Sequence, residues 1–202
     1  MTVSRPAGKA AQPTTVIVMG VSGVGKSVVA QALAESTGWT MVEGDDFHSA
    51  DNVEQMRSGL PLTDDDRWLW LQLIADWIGD QERAGLSSVV TCSALKRQYR
   101  DLLRDGHPSV RFCQLDAAPA TLQARMKARS GHFMPPSLLR SQLRTLEPLE
   151  ADEPGGRVNA ESDLHTVLRR VLHLLAQNAP GGSVDPNGGL QPNGDSAGKR
   201  AS

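Results

Sequence analysis

Lys26 and Ser27 stand side by side behind three glycines, Gly20, Gly23 and Gly25, in the stretch "MGVSGVGKS". Those residue types at that spacing suit the binding of a phosphate and a metal ion. Glycine lets a chain turn tightly and brings bare backbone amides close to another group. Successive amides turned inward form a nest for phosphate oxygens, and a helix opening near Lys26 adds unpaired N–H groups and a partial positive charge. Gly20 to Ser27 matches G-x-x-x-x-G-K-[ST] in full. Lys26 is therefore expected on the β- and γ-phosphates of a nucleotide and the Ser27 hydroxyl on Mg²⁺. The expected nucleotide-binding stretch is Gly20, Val21, Ser22, Gly23, Val24, Gly25, Lys26, Ser27 and Val28.

A second group of side chains could act on whatever lies beside that phosphate. Asp45 comes at the end of "WTMVEGDDFH", a strand-like run that ends in acids. In a parallel sheet its edge faces the same crevice as the loop. A carboxylate there can orient or deprotonate an attacking hydroxyl and hold a metal-bound water. His48 and Asn52, four residues apart, are expected on one helical face, where either could hydrogen-bond a polyhydroxylated substrate; His48 equally suits a structural role. Arg67 follows three aspartates at the start of a long helix, and is either their ion-pair partner or a clamp for a substrate carboxylate. Arg125 and Arg129 are spaced i, i+4 just before "SGHF". They suit a lid over a triphosphate, offsetting charge that develops in transfer, and a solvated basic face fits the same spacing.

The elements that must position these groups are legible as alternating patterns. "TTVIVMG" reads as a buried parallel strand, and Val28, Val29, Ala32 and Leu33 mark one face of the helix after it, with Gly38 as its stop. Thr63 with Asp66 makes a capping-box pair ahead of a helix carrying Trp70, Leu71, Ile74, Trp77 and Ile78 as its apolar stripe. "LSSVVTCSA" and "VRFCQLD" are further strands, "GRVNA" a weak fifth, and Leu164 to Leu175 a last amphipathic helix. Strands alternating with helices at this spacing imply βαβ units on a parallel sheet. Residues 1–13 read as a flexible leader, 14–178 as one kinase-sized domain, and 179–202 as a Gly/Pro-rich tail with too little apolar surface to fold.

Composition narrows the function classes. With 21 Lys+Arg against 23 Asp+Glu, the net charge of −2 gives no general attraction to nucleic acid or an anionic membrane. No apolar run reaches the roughly 18 residues of a membrane span. Cys92 and Cys113 both sit in apolar strand-like runs and read as reduced core thiols. A cytoplasmic protein is expected. The base-reading N-K-x-D of switch GTPases is absent, and "DWIG" falls inside the amphipathic helix. The third strand ends in "TCSALK" rather than in the aspartate of motor-type ATPases. A small-molecule kinase remains, with a nucleotide-sensing protein that performs no turnover as the rival of another class.

Taken together, "EGDDFHSADNVEQMRSGLPLTDDDRWLWL", "CSALKRQYRDLLR" and "RMKARSGHFMPPSLLRSQLRTLEPLE", with the glycine loop, closely resemble the gluconokinase family over about residues 14 to 175. The resemblance implies ATP-dependent conversion of D-gluconate to 6-phospho-D-gluconate in sugar-acid catabolism. It also implies a three-layer α/β/α fold like that of nucleoside monophosphate kinases, with a central parallel sheet, a mobile lid over about residues 125–147, and a homodimer. By motif position, Gly23, Gly25, Lys26 and Ser27 would hold ATP and Mg²⁺, and Asp45 would face the 6-hydroxyl of gluconate. His48, Arg67 and Lys96 would lie nearest the acceptor, with Arg67 or Lys96 holding its carboxylate. Arg125, Arg129 and His132 fall in the lid, and Gln142 and Glu147 in the helix after it. The chain departs from many relatives at Val24, where they carry a small polar residue, and at Leu143 and Arg144, where they read Phe-Glu.

Overall fold

Thr15–Met19 (β1) is buried at every residue, as a β-branched run is when helices cover both faces of a sheet. The computed structural model describes residues 12–128 and 136–177, without the side chains of 136–138. Four further strands, Thr40–Glu43 (β2), Ser88–Cys92 (β3), Val110–Asp116 (β4) and Gly155–Asn159 (β5), complete one sheet in the order β2-β3-β1-β4-β5. Every pairing is parallel. β1 therefore lies in the middle, and the loop that follows it opens at the carboxyl edge, where the chain's connections diverge to either side.

Alternation along β1 sorts the core into two halves. Val16 and Val18 face a cluster with Lys26–Thr37 (α1), Pro119–Ala128 (α5), Pro136–Thr145 (α6) and Leu164–Gln177 (α7). Ile17 and Met19 face the other cluster, with Asp64–Arg83 (α3) and Arg97–Arg104 (α4). The remaining helix, Ala50–Arg57 (α2), stands apart near the start of α3. Cys92 and Cys113 are buried and unpaired, and burial pushes both thiols up to about 12.

The helix boundaries follow local chemistry. α1 opens after Gly25, at φ 107°, and closes at Gly38, whose N–H returns to Ala34 O. α3 opens on the expected capping box: the Thr63 hydroxyl accepts from the Asp66 N–H, and the Asp66 carboxylate accepts from the Thr63 N–H. Its stripe of Trp70, Leu71, Ile74 and Ile78 is buried.

One local expectation fails. His48 and Asn52 do not share a helix. A 3₁₀ turn over Gly44–Phe47 ends at His48, in extended conformation, and α2 starts afresh from the Ser49 cap. Gly44 sets this up: a Cβ there would fall 2.1 Å from Thr91 O, so the chain leaves β2 pressed against β3 and must turn at once. Asn52 then donates to Asp66 O, a contact within the scaffold. Of the other expectations, Arg129 and His132, residues 129–135 of the lid, all but residues 12 and 13 of the leader, and the tail from 178 lie outside the described residues.

Candidate active site

The loop after β1 is shaped by glycines in the left-handed region, with φ 134° at Gly20, 80° at Gly23 and 107° at Gly25. It is tied to the end of β3 by the Gly20 N–H, which donates to Ser93 O. Lys26, at the first position of α1, folds back over the loop and donates to Gly20 O at 3.1 Å and Val21 O at 3.3 Å. Ser27, partly exposed, follows in the same turn.

Beside this loop lies a narrow pocket, open to solvent, with a cavity volume of about 70 Å³. Ser22 and Lys26 of the loop, Asp45 and His48 after β2, and Arg67 of α3 all line it. Asp45 thus lies on the same edge as Lys26, as its place at the end of a parallel strand implies. Ser93 and Leu95 after β3, and Ser141, Gln142 and Thr145 of α6, close the remaining sides.

Trp70 organises one wall. Its Nε1 donates to Gly44 O at 2.6 Å, fixing the 3₁₀ turn, and its ring stacks on His48 with centroids 4.2 Å apart and planes 18° from parallel. His48 Nδ1 is buried and has no hydrogen-bond partner among the described residues. Burial holds the imidazole below its ordinary value of 6.5; Asp45 opposes that shift and Arg67 reinforces it. His48 is therefore a neutral ring at neutral pH, with one nitrogen that donates and one that accepts.

The basic residues divide. Asp64, at the start of α3, accepts from both Lys96 Nζ, at 2.7 Å, and the Tyr99 hydroxyl, at 2.5 Å. Hydrogen bonds from Lys96 and then Tyr99 hold its carboxyl below the usual carboxylate range. Lys96 is correspondingly raised by its bond to Asp64 and is not among the residues lining the pocket. Arg67 reaches the pocket while its Nη1 rests 3.5 Å from Asp64 Oδ1 and 3.3 Å from the Tyr99 hydroxyl. Arg67 is thus an ion-pair partner of Asp64 and at the same time a cation at the pocket wall. Lys96 lies off the pocket wall because Asp64, at the start of α3, offers it a carboxylate that the Tyr99 hydroxyl of α4 also holds.

Arg125, expected over a triphosphate, is held by backbone carbonyls. Its guanidinium donates to Val24 O at 3.0 Å and to Ala160 O at 2.7 Å, joining the glycine loop to the segment after β5. It lines a second, more open cleft with a cavity volume of about 370 Å³, together with Gly25, Val28, Leu164 and Val167. That cleft is mostly apolar and adjoins the loop on the side away from Asp45, which suits the nucleoside half of a nucleotide.

Several contributors carry no local sequence signal. The Ser22 N–H donates to Gln142 Oε1 at 2.7 Å, across 120 residues. Glu147 accepts from the Arg97 N–H at the start of α4 and donates its own N–H to Leu95 O. Arg100 and Glu153, both fully buried, form an ion pair whose guanidinium also reaches Ala94 O and Glu147 O. Ala94, with φ 41°, immediately precedes the pocket residue Leu95. Burial disfavours the Glu153 charge, but hydrogen bonds from Arg100 and the Glu150 N–H more than reverse that and leave the carboxyl below its usual range.

A family profile described as an AAA domain matches residues 16–149. The gluconokinase of Gluconobacter oxydans strain 621H is 47% identical over 168 residues, covering 83% of this chain and 94% of that protein. Among solved structures, a gluconokinase from Sinorhizobium meliloti 1021 is 43% identical with a TM-score of 0.74, covering 84% of this chain and 95% of that one. An unliganded sugar kinase from Janibacter sp. HTCC2649 is 48% identical with a TM-score of 0.78, covering 81% and 95%. Identity of this order along nearly the whole described chain, on a parallel sheet with the glycine loop at its carboxyl edge, places the protein in the gluconokinase family.

Proposed function

We propose that this protein transfers the γ-phosphoryl group of ATP to the terminal hydroxyl of D-gluconate, giving 6-phospho-D-gluconate and ADP. The carrying observation is the pocket in which Lys26 of the phosphate loop and the Asp45 carboxylate line one space with Arg67. In the reaction a bond forms between the alcohol oxygen and the γ-phosphorus as the bond to the β,γ-bridging oxygen breaks. The hydroxyl proton leaves to Asp45, which also orients the attacking oxygen. Lys26 turns from the loop carbonyls to the phosphates and offsets charge there, together with the loop amides. Neutral His48 accepts a hydrogen bond from a hydroxyl of the sugar acid, and Arg67 holds its carboxylate at the far end.

The residues present suit magnesium. Ser27 would supply a hydroxyl and exposed Asp45 a carboxylate to hold a metal-bound water, which suits the hard oxygen ligands that Mg²⁺ combines with phosphate oxygens. No group of three or more His, Cys, Asp or Glu among the described residues could hold the ion without the nucleotide. When bound, magnesium would neutralise charge on the phosphates.

Arg125 is proposed to steady the loop from the nucleoside side rather than to cross the triphosphate. The homodimer that the resemblance implies has support on the outer face of α3, where Leu69 is 76% exposed and Leu73 49%; sedimentation at two protein concentrations tests it. The function itself is tested by coupled ADP release with a panel of aldonic acids. Release that depends on gluconate is expected, and ADP formation indifferent to every sugar acid would overturn the acceptor.

A further inference from the structure

The bond between Ser22 and Gln142 joins the phosphate loop to the acceptor pocket through one side chain. The Ser22 N–H lies in the loop whose backbone amides are expected to cradle phosphate oxygens. A carboxamide oxygen at 2.7 Å offers that amide the same acceptor chemistry as a phosphate oxygen. The orientation of the carboxamide is settled by the contact, since a backbone N–H can only meet the oxygen. Gln142 also lines the acceptor pocket, flanked by Ser141 and Thr145 from its own helix. It is only partly buried, so the side chain has room to turn.

We propose that Gln142 is a positioning residue that occupies the nucleotide's place at the Ser22 amide until ATP arrives, and then turns its carboxamide to a hydroxyl of the sugar acid. The inference rests on the ATP-and-gluconate reading of the site. A phosphate oxygen approaching the Ser22 N–H must displace Oε1, because the amide has one hydrogen to give. The displaced carboxamide lies at the wall of the acceptor pocket, where it has both a donor and an acceptor to offer. Nucleotide and sugar acid then favour the same position of the same side chain, so each strengthens the binding of the other, by equal factors. The coupling is bounded by the net worth of one hydrogen bond, about three- to tenfold in affinity.

The test compares the wild-type protein with Gln142→Met, which keeps the length and helical preference of the side chain and removes the carboxamide. Calorimetry measures the affinity of a non-hydrolysable ATP analogue with magnesium, first without sugar acid and then with saturating gluconate. The expected result in Gln142→Met is about three- to tenfold tighter analogue binding without gluconate, weaker gluconate binding, and a coupling factor near one. An unchanged melting temperature shows that the fold is intact. A merely structural role for Gln142 would weaken both ligands or neither, so effects of opposite sign identify the displacement. Unchanged or weaker analogue binding by the variant overturns the proposal. That first titration contains no sugar acid, so its failure counts against the displacement alone. Absence of gluconate-dependent ADP release from the wild-type protein counts instead against the acceptor reading, and with it the second half of the proposal.

Discussion

The phosphate loop and the acceptor pocket share Lys26 and Ser22, yet they are built in opposite ways. The loop is one uninterrupted stretch whose shape comes from backbone, with Gly20, Gly23 and Gly25 all at positive φ. Its donors are amides, so a valine at position 24 serves as well as a small polar residue would. The pocket draws its walls from seven separate places: the loop with the start of α1, the turn after β2, α2, the segment joining α2 to α3, α3 itself, the turn after β3, and α6. Its chemistry is in side chains, and each is held by a partner far away in sequence. A backbone site can be common to many proteins because it reads only phosphate, whereas the side-chain site must carry the choice of acceptor.

The largest effect should come from the residue that belongs to both. Lys26→Ala is expected to lower turnover by about 10³-fold in a coupled ADP-release assay, while circular dichroism and melting temperature stay at wild-type values. Activity within tenfold of wild type would break the comparison, since the loop would then work through amides alone.

The pocket should instead be vulnerable from behind. Arg100 and Glu153 are wholly buried, and they brace Ala94 and Glu147 on the reverse side of the wall. Glu153→Ala leaves a buried guanidinium without its carboxylate and is expected to destabilise the protein by about 3–5 kcal/mol in chemical denaturation. The pH dependence has a definite sign. The Glu153 carboxyl is lower in the folded chain than its ordinary value of 4.5, so its contribution is present above that pH and is lost as pH falls through the folded value. Wild-type and variant stabilities should therefore converge in acid, and a gap that persists at low pH would assign the loss to packing instead.

Such dependence on distant partners explains what the sequence could and could not disclose. The glycine loop, the capping box at Thr63 and Asp66, and the weak fifth strand are short-range patterns, and each lies where its pattern places it. The position of Asp45 at the carboxyl edge follows from parallel topology, whereas the strand order β2-β3-β1-β4-β5 does not. Lys96 and Asp64 are 32 residues apart, Arg125 and Val24 are 101 apart, and no periodicity within one helix reports either contact. His48 falls outside a helix for a different reason. The chain there is governed by the close approach of Gly44 to Thr91, a contact between neighbouring strands that spacing along one segment does not encode.

The division between the two basic residues gives a finer test. Arg67 lines the pocket while Lys96 is engaged by Asp64. Arg67→Met should raise the gluconate KM by about tenfold or more with a smaller change in kcat, the pattern of a lost binding contact. Lys96→Met should change it by less than about threefold, since an exposed ion pair contributes little. Equal effects would mean that the Asp64 network acts as one cation-bearing unit.

The smallest expected effect is an absence of change, and it concerns His48. A freely solvated histidine would begin to charge as pH falls through about 6.5. Here burial of the ring, stacked on Trp70, holds it below that value; the Asp45 charge opposes the shift and the Arg67 charge adds to it. The gluconate KM should therefore stay level as pH is lowered through 6.5 and climb only in more acidic buffer, where the imidazolium can no longer accept a hydrogen bond from the sugar acid. His48→Gln, which keeps one donor and one acceptor but cannot titrate, should remove that late climb. Stability carries the same sign: the unfolded chain takes up the His48 proton first, so the contribution is present above 6.5 and is lost as pH falls toward the folded value. A KM that rises with its midpoint at 6.5 in the wild-type protein, and not in His48→Gln, would show the ring solvated in the working enzyme. The pocket would then owe less to distant packing than its contrast with the loop requires.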